Sequence, residues 1–410
     1  MDFMIVGADF LNKGAQAMLF VTVDELKKRF PQSDVKVATY TNFDQGQYNF
    51  SRINYTLGTK LTGLGGVWII PGVLMHFAED LLKLILKKKK PSGHYFDILK
   101  HISDMQCVID ISGFGIGDSW SVLGNYSYIL NIALARKYGI PIILMPQSFG
   151  PFSSHWLQNA VARWFKYPGL IFAREKQGVT SLQALGIDNV IYSSDIVLSN
   201  AGIEPSNIYR HYHDSVAVVP SCKGPKVGIV PNGKCFIKGN PEAIYKLYVE
   251  MINKLIKDGY TVIILRHSDE DRVISQNIYD AVSKSDSVLL EDRDLTCLEY
   301  EGYVKEFDFI ICSRFHGLVH AFRRGVPSIA LAWAIKYTEL FEYFDMRDFV
   351  YDITREQINE VGILSAIDAM EETRDKWNAI INEKMGRLRS NHDENCFDVV
   401  EEFLKNFDKR

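Results

Sequence analysis

Short runs of Val, Ile, Leu and Phe recur along the chain, and longer stretches between them return to an apolar residue every three or four positions. Read by period, the short runs are strands and the longer stretches are amphipathic helices. In the first half, strands are predicted at 2–6, 35–39, 106–111, 140–145, 170–173 and 190–193. Helical patterns such as "KGAQAMLFVTVDELKKRF" and "VLGNYSYILNIALARKYG" fill the gaps. Gly139 closes the second of these as a C-cap, and Pro141 opens the next strand. Strands apolar on both faces that alternate with helices form a parallel sheet covered by helices.

The pattern lapses from Asn200 to Lys226, where turn residues dominate, and then restarts. Strands are predicted at 226–230, 261–266, 287–291, 308–313, 327–333 and 349–353, and from Arg355 the chain reads as almost continuous helix. A chain of 410 residues exceeds one ordinary core. The expectation is an α/β protein of GT-B-like architecture: two Rossmann-like domains whose parallel sheets face a central cleft, with a long helical C-terminal segment. The expected boundaries are 1–200 for the N-terminal domain, 201–225 for a linker, 226–380 for the C-terminal domain and 381–410 for closing helices.

Composition narrows the class. With 47% hydrophobic and 23% charged residues, the chain is globular rather than disordered. A formal charge of -4 gives no reason to expect nucleic acid as a partner. The six cysteines are scattered without a Cys-x-x-Cys pair, several inside apolar runs, which reads as reduced core thiols in a cytoplasmic protein. The start, "MDFMIVGADF", reads as a first strand rather than a signal peptide, and no stretch reaches the roughly 20 apolar residues of a spanning helix. One segment stands apart. Within 61–95, the apolar residues Phe77, Leu81, Leu84 and Ile85 recur at helical spacing and lead into Lys87–Lys90. An amphipathic helix over 73–90 with a basic end suits an anionic membrane surface; a core-packed helix with a solvated basic loop fits the same residues.

The strongest chemical signal is Ser313-Arg314-Phe315-His316-Gly317, at the carboxyl end of a buried-looking strand and the start of a helix. Open parallel sheets bind ligands there, and helix N-termini attract anions. His316 can move a proton at neutral pH and Arg314 can hold a carboxylate or phosphate. The structural alternative is a capping histidine and a salt-bridged arginine. His316 and His320 have zinc-ligand spacing, but Gly317 stands where a zinc-protease helix needs Glu, so His320 reads as packed and no metal is expected. Arg323 and Arg324 close that helix and read as structural. The loop "ISGFGIGDSW" falls short of a dinucleotide fingerprint because position 118 is Asp, yet Gly115 and Asp118 there, and Asn12 and Gly14 after the first strand, are candidate acceptor contacts. His267, after a strand in "LRHSDEDR", is a further candidate, and the "EDRD" acidic cluster reads as a solvated turn.

Together, "SRFHGLVHAFRRGVPSIALAWAIKYTELF", "MPQSFGPF", "FAREKQGVTSLQALGI", "ISGFGIGD" and "NKGAQAML" resemble the polysaccharide pyruvyl transferases in order and spacing over most of positions 1 to 350. The resemblance implies an enzyme that takes the enolpyruvyl unit of phosphoenolpyruvate and places it as a ketal on a sugar of a lipid-linked surface-polysaccharide precursor, releasing phosphate. It implies no cofactor, phosphoenolpyruvate being a co-substrate, and a cytoplasmic enzyme peripheral to the membrane. It makes His316 the proton-transfer residue and Arg314 its anion-holding neighbour, and assigns Arg174, Arg314 and Lys336 to the donor. Glu175 is expected as a salt-bridge partner of Arg174. The rival reading is a GT-B glycosyltransferase that uses a nucleotide sugar; a third is a sugar-binding relative without catalysis.

Overall fold

The computed structural model of the protein describes residues 1–54, 101–211, 224–282, 285–391 and 395–407. The chain divides into two compact units, one formed by Met1–Phe10, Met18–Tyr212 and His392–Arg410, the other by Leu11–Ala17 and His213–Asn391.

The first unit holds β1 (Asp2–Val6), β2 (Asp34–Thr39), β3 (Ser51–Asn54), β4 (Cys107–Asp110), β5 (Ile142–Gln147), β6 (Leu170–Ala173) and β7 (Val190–Tyr192). They form one parallel sheet in the order β3-β2-β1-β4-β5-β6-β7. β4 and β5 are buried at every position, so a continuous apolar run is what a strand covered on both faces requires. β3 escaped the hydrophobic pattern. It is an edge strand, and "SRIN" carries a single apolar residue, Ile53. Helix Val122–Tyr138 ends as expected, with Gly139 in the left-handed region at φ 69°. Its Ile129 and Ile132 pack with Leu157, Val161 and Phe165 against Ile142, Leu144 and Ile171 of the sheet. Each such side chain contributes about 1.5–3 kcal/mol by leaving water.

The second unit holds β8 (Lys226–Val230), β9 (Thr261–Leu265), β10 (Val288–Glu291), β11 (Phe309–Cys312), β12 (Ser328–Ala332) and β13 (Val350–Asp352), parallel in the order β10-β9-β8-β11-β12-β13. The chain winds outward from β8 in one direction and from β11 in the other. The carboxyl ends of β8 and β11 are therefore the switch point where such a sheet leaves a crevice. Helix Pro241–Lys257 starts at Asn240, whose side-chain oxygen accepts from the N–H groups of Glu242 and Ala243 at 3.0 and 3.3 Å.

Helix Glu360–Ser390 runs through the boundary expected at residue 380 and stays in the second unit. The last helix, Cys396–Phe407, belongs to the first, where Cys396, Phe397, Val400 and Leu404 are buried. Within the stretch expected as a linker, Pro205–Ile208 forms a short helix, and residues 212–223 lie outside the described residues. So do the 61–95 insertion and the 73–90 helix with its lysine run. No helix among the described residues is long and apolar enough to cross a membrane. Cys107, Cys235, Cys297, Cys312 and Cys396 are buried thiols, and Cys222 falls outside the described residues.

Candidate active site

β11 ends at Cys312, and helix Phe315–Arg323 begins two residues beyond its successor Ser313. Buried polar groups pin the junction. The carbonyl of Ser313 accepts from Asn232 Nδ2 at 2.9 Å and from the Tyr337 hydroxyl at 2.8 Å, and its side chain lies 2.7 Å from the Tyr248 hydroxyl. Arg314 is 7% exposed. Its Nε donates to Asp271 Oδ2 at 2.8 Å, and its Nη2 to Asp271 Oδ1 at 2.6 Å and Glu270 Oε1 at 2.5 Å. Burial pushes the Asp271 carboxyl up, against the pull of Arg314. The arginine is thus the salt-bridged residue of the structural alternative, and its charge is compensated inside the protein. Among the described residues only its Nη1 makes no hydrogen bond.

His316 is half-buried at the helix start and lies directly against Gly14. A Cβ built on Gly14 would stand 2.3 Å from His316 Cγ and 2.4 Å from Nδ1, so only glycine lets the ring lie there. Asn12 holds that glycine in place: its Oδ1 accepts from the Gly14 and Ala15 N–H groups at 2.9 and 3.4 Å, capping the first helix. Asn12 and Gly14, expected as acceptor contacts, therefore build the wall behind His316. Between them, Lys13 has its ammonium pKa pushed down, by burial first and by Arg266 second. Its effect was not visible in the sequence, because the partners are contributed by residues more than 250 positions away.

His267 corrects an expectation. It is 1% exposed and so does not offer its ring to a ligand. Its ring packs on Tyr300 and His320 at centroid distances of 5.0 and 5.8 Å. Burial, then His320, holds His267 well below the usual histidine range, so it is neutral. Both of its ring nitrogens, the Tyr300 hydroxyl and His320 Nε2 are buried without hydrogen-bond partners among the described residues. His320 itself is packed, as expected, with Nδ1 3.0 Å from Glu301 Oε1. Arg323 and Arg324 bond the same carboxylate, and despite the burial of Glu301 these partners keep it well below the usual carboxylate range. The acidic "EDRD" turn is tied into ion pairs, Arg266 to Asp294 and Arg272 to Asp292, each at 2.5 Å.

Lys336 opens helix Lys336–Tyr343 after β12. Its ammonium lies 5.1 Å from the centroid of Phe315 and 5.0 Å from that of Trp333, and Phe315 also packs on the His316 ring at 5.5 Å. Phe315 therefore carries Lys336 and His316 on one aromatic residue. Both contacts lie within the second unit.

In the first unit, Arg174 follows β6 and is buried. Every guanidinium nitrogen is engaged: Nε with Glu175 at 2.9 Å, Nη1 with Asp195 at 2.7 Å, and Nη2 with Ser148 Oγ at 2.8 Å and the Gly113 carbonyl at 3.4 Å. Glu175 is the expected partner; Asp195, 21 positions on, was not foreseen. Arg174 ties the glycine-rich loop to the ends of β5 and β6, and a direct hold on a donor anion would break that network. Gly115 gives room to Tyr128, whose ring a Cβ would approach to 2.4 Å. Asp118 accepts from the Ser153 N–H at 3.0 Å and from its hydroxyl at 2.5 Å, which fixes the loop. Sequence reading passed over Asp110, at the end of β4. Burial pushes its carboxyl up to about 6 against a hydrogen bond from Ser112 N–H, and its Oδ2 has no partner among the described residues.

Solved structures resemble the whole chain. A putative UDP-N-acetylglucosamine 2-epimerase from Listeria monocytogenes matches with a TM-score of 0.61 at 10% identity, over 100% of this chain and 97% of its own. The UDP-GlcNAc 2-epimerase of Neisseria meningitidis matches with a TM-score of 0.55 at 13% identity, over 99% and 100%. The glycotransferase of kitacinnamycin matches with a TM-score of 0.50 at 12% identity, over 99% and 98%. At such identities the likeness establishes the fold alone, which is the expected GT-B-like one. A search of curated proteins by sequence returns no match. The sequence profile of polysaccharide pyruvyl transferases matches residues 12–334, from the Asn12 cap through the His316 junction to the strand before Lys336. That span takes in every strand described above except β1 and β13, and the chain belongs to the polysaccharide pyruvyl transferase family.

Proposed function

We propose that the protein transfers the enolpyruvyl unit of phosphoenolpyruvate to a sugar of a lipid-linked polysaccharide precursor, forming a pyruvate ketal. What chiefly supports this reading is the position of His316. It stands at the switch point of the second sheet, braced by Gly14, with Lys336 across Phe315. A sugar hydroxyl adds to C2 of the donor while C3 gains a proton. A second hydroxyl then displaces phosphate from C2 and closes the ketal. One hydroxyl proton ends in the new methyl group and the other leaves with phosphate. His316 takes a proton from the attacking hydroxyl and delivers one to C3. Lys336, with the Nη1 of Arg314, holds the donor's anionic groups, while the remaining Arg314 contacts fix the loop that carries His316.

The test is inorganic phosphate release from the purified protein. Phosphate should appear only when phosphoenolpyruvate and a suitable glycan are both present, and phosphoenolpyruvate alone should raise the melting temperature. Stabilisation by a UDP- or GDP-sugar instead, with nucleoside diphosphate as product, would replace this reading with glycosyl transfer.

A further inference from the structure

Lys234 and Lys238 lie on helix Gly233–Lys238, which follows β8, and Lys336 follows β12. All three ammonium groups gather on one indole. Lys238 Nζ is 4.2 Å, Lys336 5.0 Å and Lys234 5.9 Å from the centroid of Trp333. The ring face compensates some of this charge, and an anion beside Lys234 and Lys238 can balance theirs. Among the described residues, neither Lys234 nor Lys238 has a carboxylate at ion-pair distance, and both are exposed. Glu270, the acid that feels Lys234, is committed to Arg314. The Trp333 N–H is buried near the Tyr337 hydroxyl but outside hydrogen-bond geometry.

Lys238 also belongs to a second feature. With Asn240, Glu242, Thr354, Arg355 and Glu356 it lines a cavity of about 720 Å³. That volume is within the range of small-molecule sites, roughly 300–1,000 Å³. Its lining of amide, hydroxyl, carboxylate and guanidinium groups suits the hydroxyls of a sugar, while the lysines beside it suit a compact multivalent anion.

We propose that Lys234 and Lys238, backed by Trp333, bind the phosphate or diphosphate group of a glycosyl phosphate acceptor whose sugar occupies the adjoining cavity. The proposal rests on the reading that the acceptor is a glycan, and it gives that glycan an anionic handle separate from the donor.

Inorganic pyrophosphate is the probe, measured on the full-length chain by tryptophan fluorescence and thermal shift. Pyrophosphate should raise the melting temperature, and its fluorescence change should vanish in Trp333→Phe. A Lys234→Gln/Lys238→Gln double variant should bind it about tenfold or more weakly, with an unchanged melting temperature in the absence of ligand. Glucose 1-phosphate should depend on the same lysines and glucose should not. Phosphoenolpyruvate affinity should be the same in wild type and double variant. Three outcomes overturn the proposal: no pyrophosphate binding, binding indifferent to the double variant, or pyrophosphate and phosphoenolpyruvate competing for lysines that both require. If no form binds phosphoenolpyruvate while pyrophosphate still depends on the lysines, the donor reading falls and this site stands.

Discussion

At the scale of single residues, the candidate site is decided by what stands behind each side chain. His316→Ala should lower phosphate-release turnover by about 100-fold or more, the usual scale for a lost general acid or base. Donor affinity, followed by thermal shift, should barely change. Normal turnover would return this histidine to a capping role. Gly14→Ala is the sharper experiment because it leaves the histidine in place. A Cβ 2.3 Å from the imidazole carbon must push the ring aside, and a displacement of roughly 1 Å costs about a hundredfold in rate. The variant should therefore approach the His316→Ala rate while keeping donor binding, and wild-type rates in Gly14→Ala would show that the ring position is not critical. Glycine at 14 was readable in the sequence as part of a loop. Its reason was not, since the group it makes room for is 302 residues away.

At the scale of elements, the two strand ends carry opposite electrostatic problems. After β11, Arg314 fills a buried network with Asp271 and Glu270. Removing one partner of a buried pair strands the other's charge and costs about 3–5 kcal/mol. Arg314→Ala should therefore shift the urea midpoint as well as weaken the donor; an unchanged midpoint would mean Asp271 is relieved some other way. At the end of β4, Asp110 is buried with its pKa raised from 3.8 to about 6. A raised pKa means the folded chain binds more protons than the unfolded one between those values, so stability falls as pH rises from about 4 to 6 and stays lowered above. Asp110→Asn removes that ionisation and should stabilise the protein by roughly 2–3 kcal/mol at pH 7. At pH 3.5 the gain should disappear. A pH-independent difference between the two proteins would contradict a buried carboxylate whose Oδ2 has no partner among the described residues.

At the scale of the whole molecule, the chain lends Leu11–Ala17 to the second unit while building the first, then builds the second and returns to finish the first. Helix Cys396–Phe407 buries Cys396, Phe397, Val400 and Leu404, and Arg29 pairs with Asp398 and Glu401 of the same helix. Four buried side chains at about 1.5–3 kcal/mol each approach the entire 5–15 kcal/mol stability of a typical domain. A chain stopped after Ser390 should lose hydrogen-exchange protection in peptides of β1 to β7 while β8 to β13 remain protected. Protection retained in β1 to β7 would show that the first unit is complete without its last helix. Because two units melt in such a molecule, calorimetry of the intact chain should not follow a single two-state transition.

Period and burial are local properties, so the sequence determined the strands, the helices and the parallel α/β class. Val, Ile and Phe runs such as 307–312 have no other low-energy home than a doubly covered sheet. The motif after that run marked the candidate site too, because a strand's carboxyl end is a place in the sequence as much as in space. What tertiary structure alone decided is partnership. Whether Arg314 is an open anion site or a buried strut depends on Asp271, 43 residues earlier. Whether His267 faces a ligand or the core depends on Tyr300 and His320. Lys234, Lys238 and Lys336 look like three unrelated surface lysines until β8 and β12 bring them to one indole. Charge interactions act through space over several ångströms and are indifferent to chain distance, and for that reason no reading of neighbours along the chain could have found them.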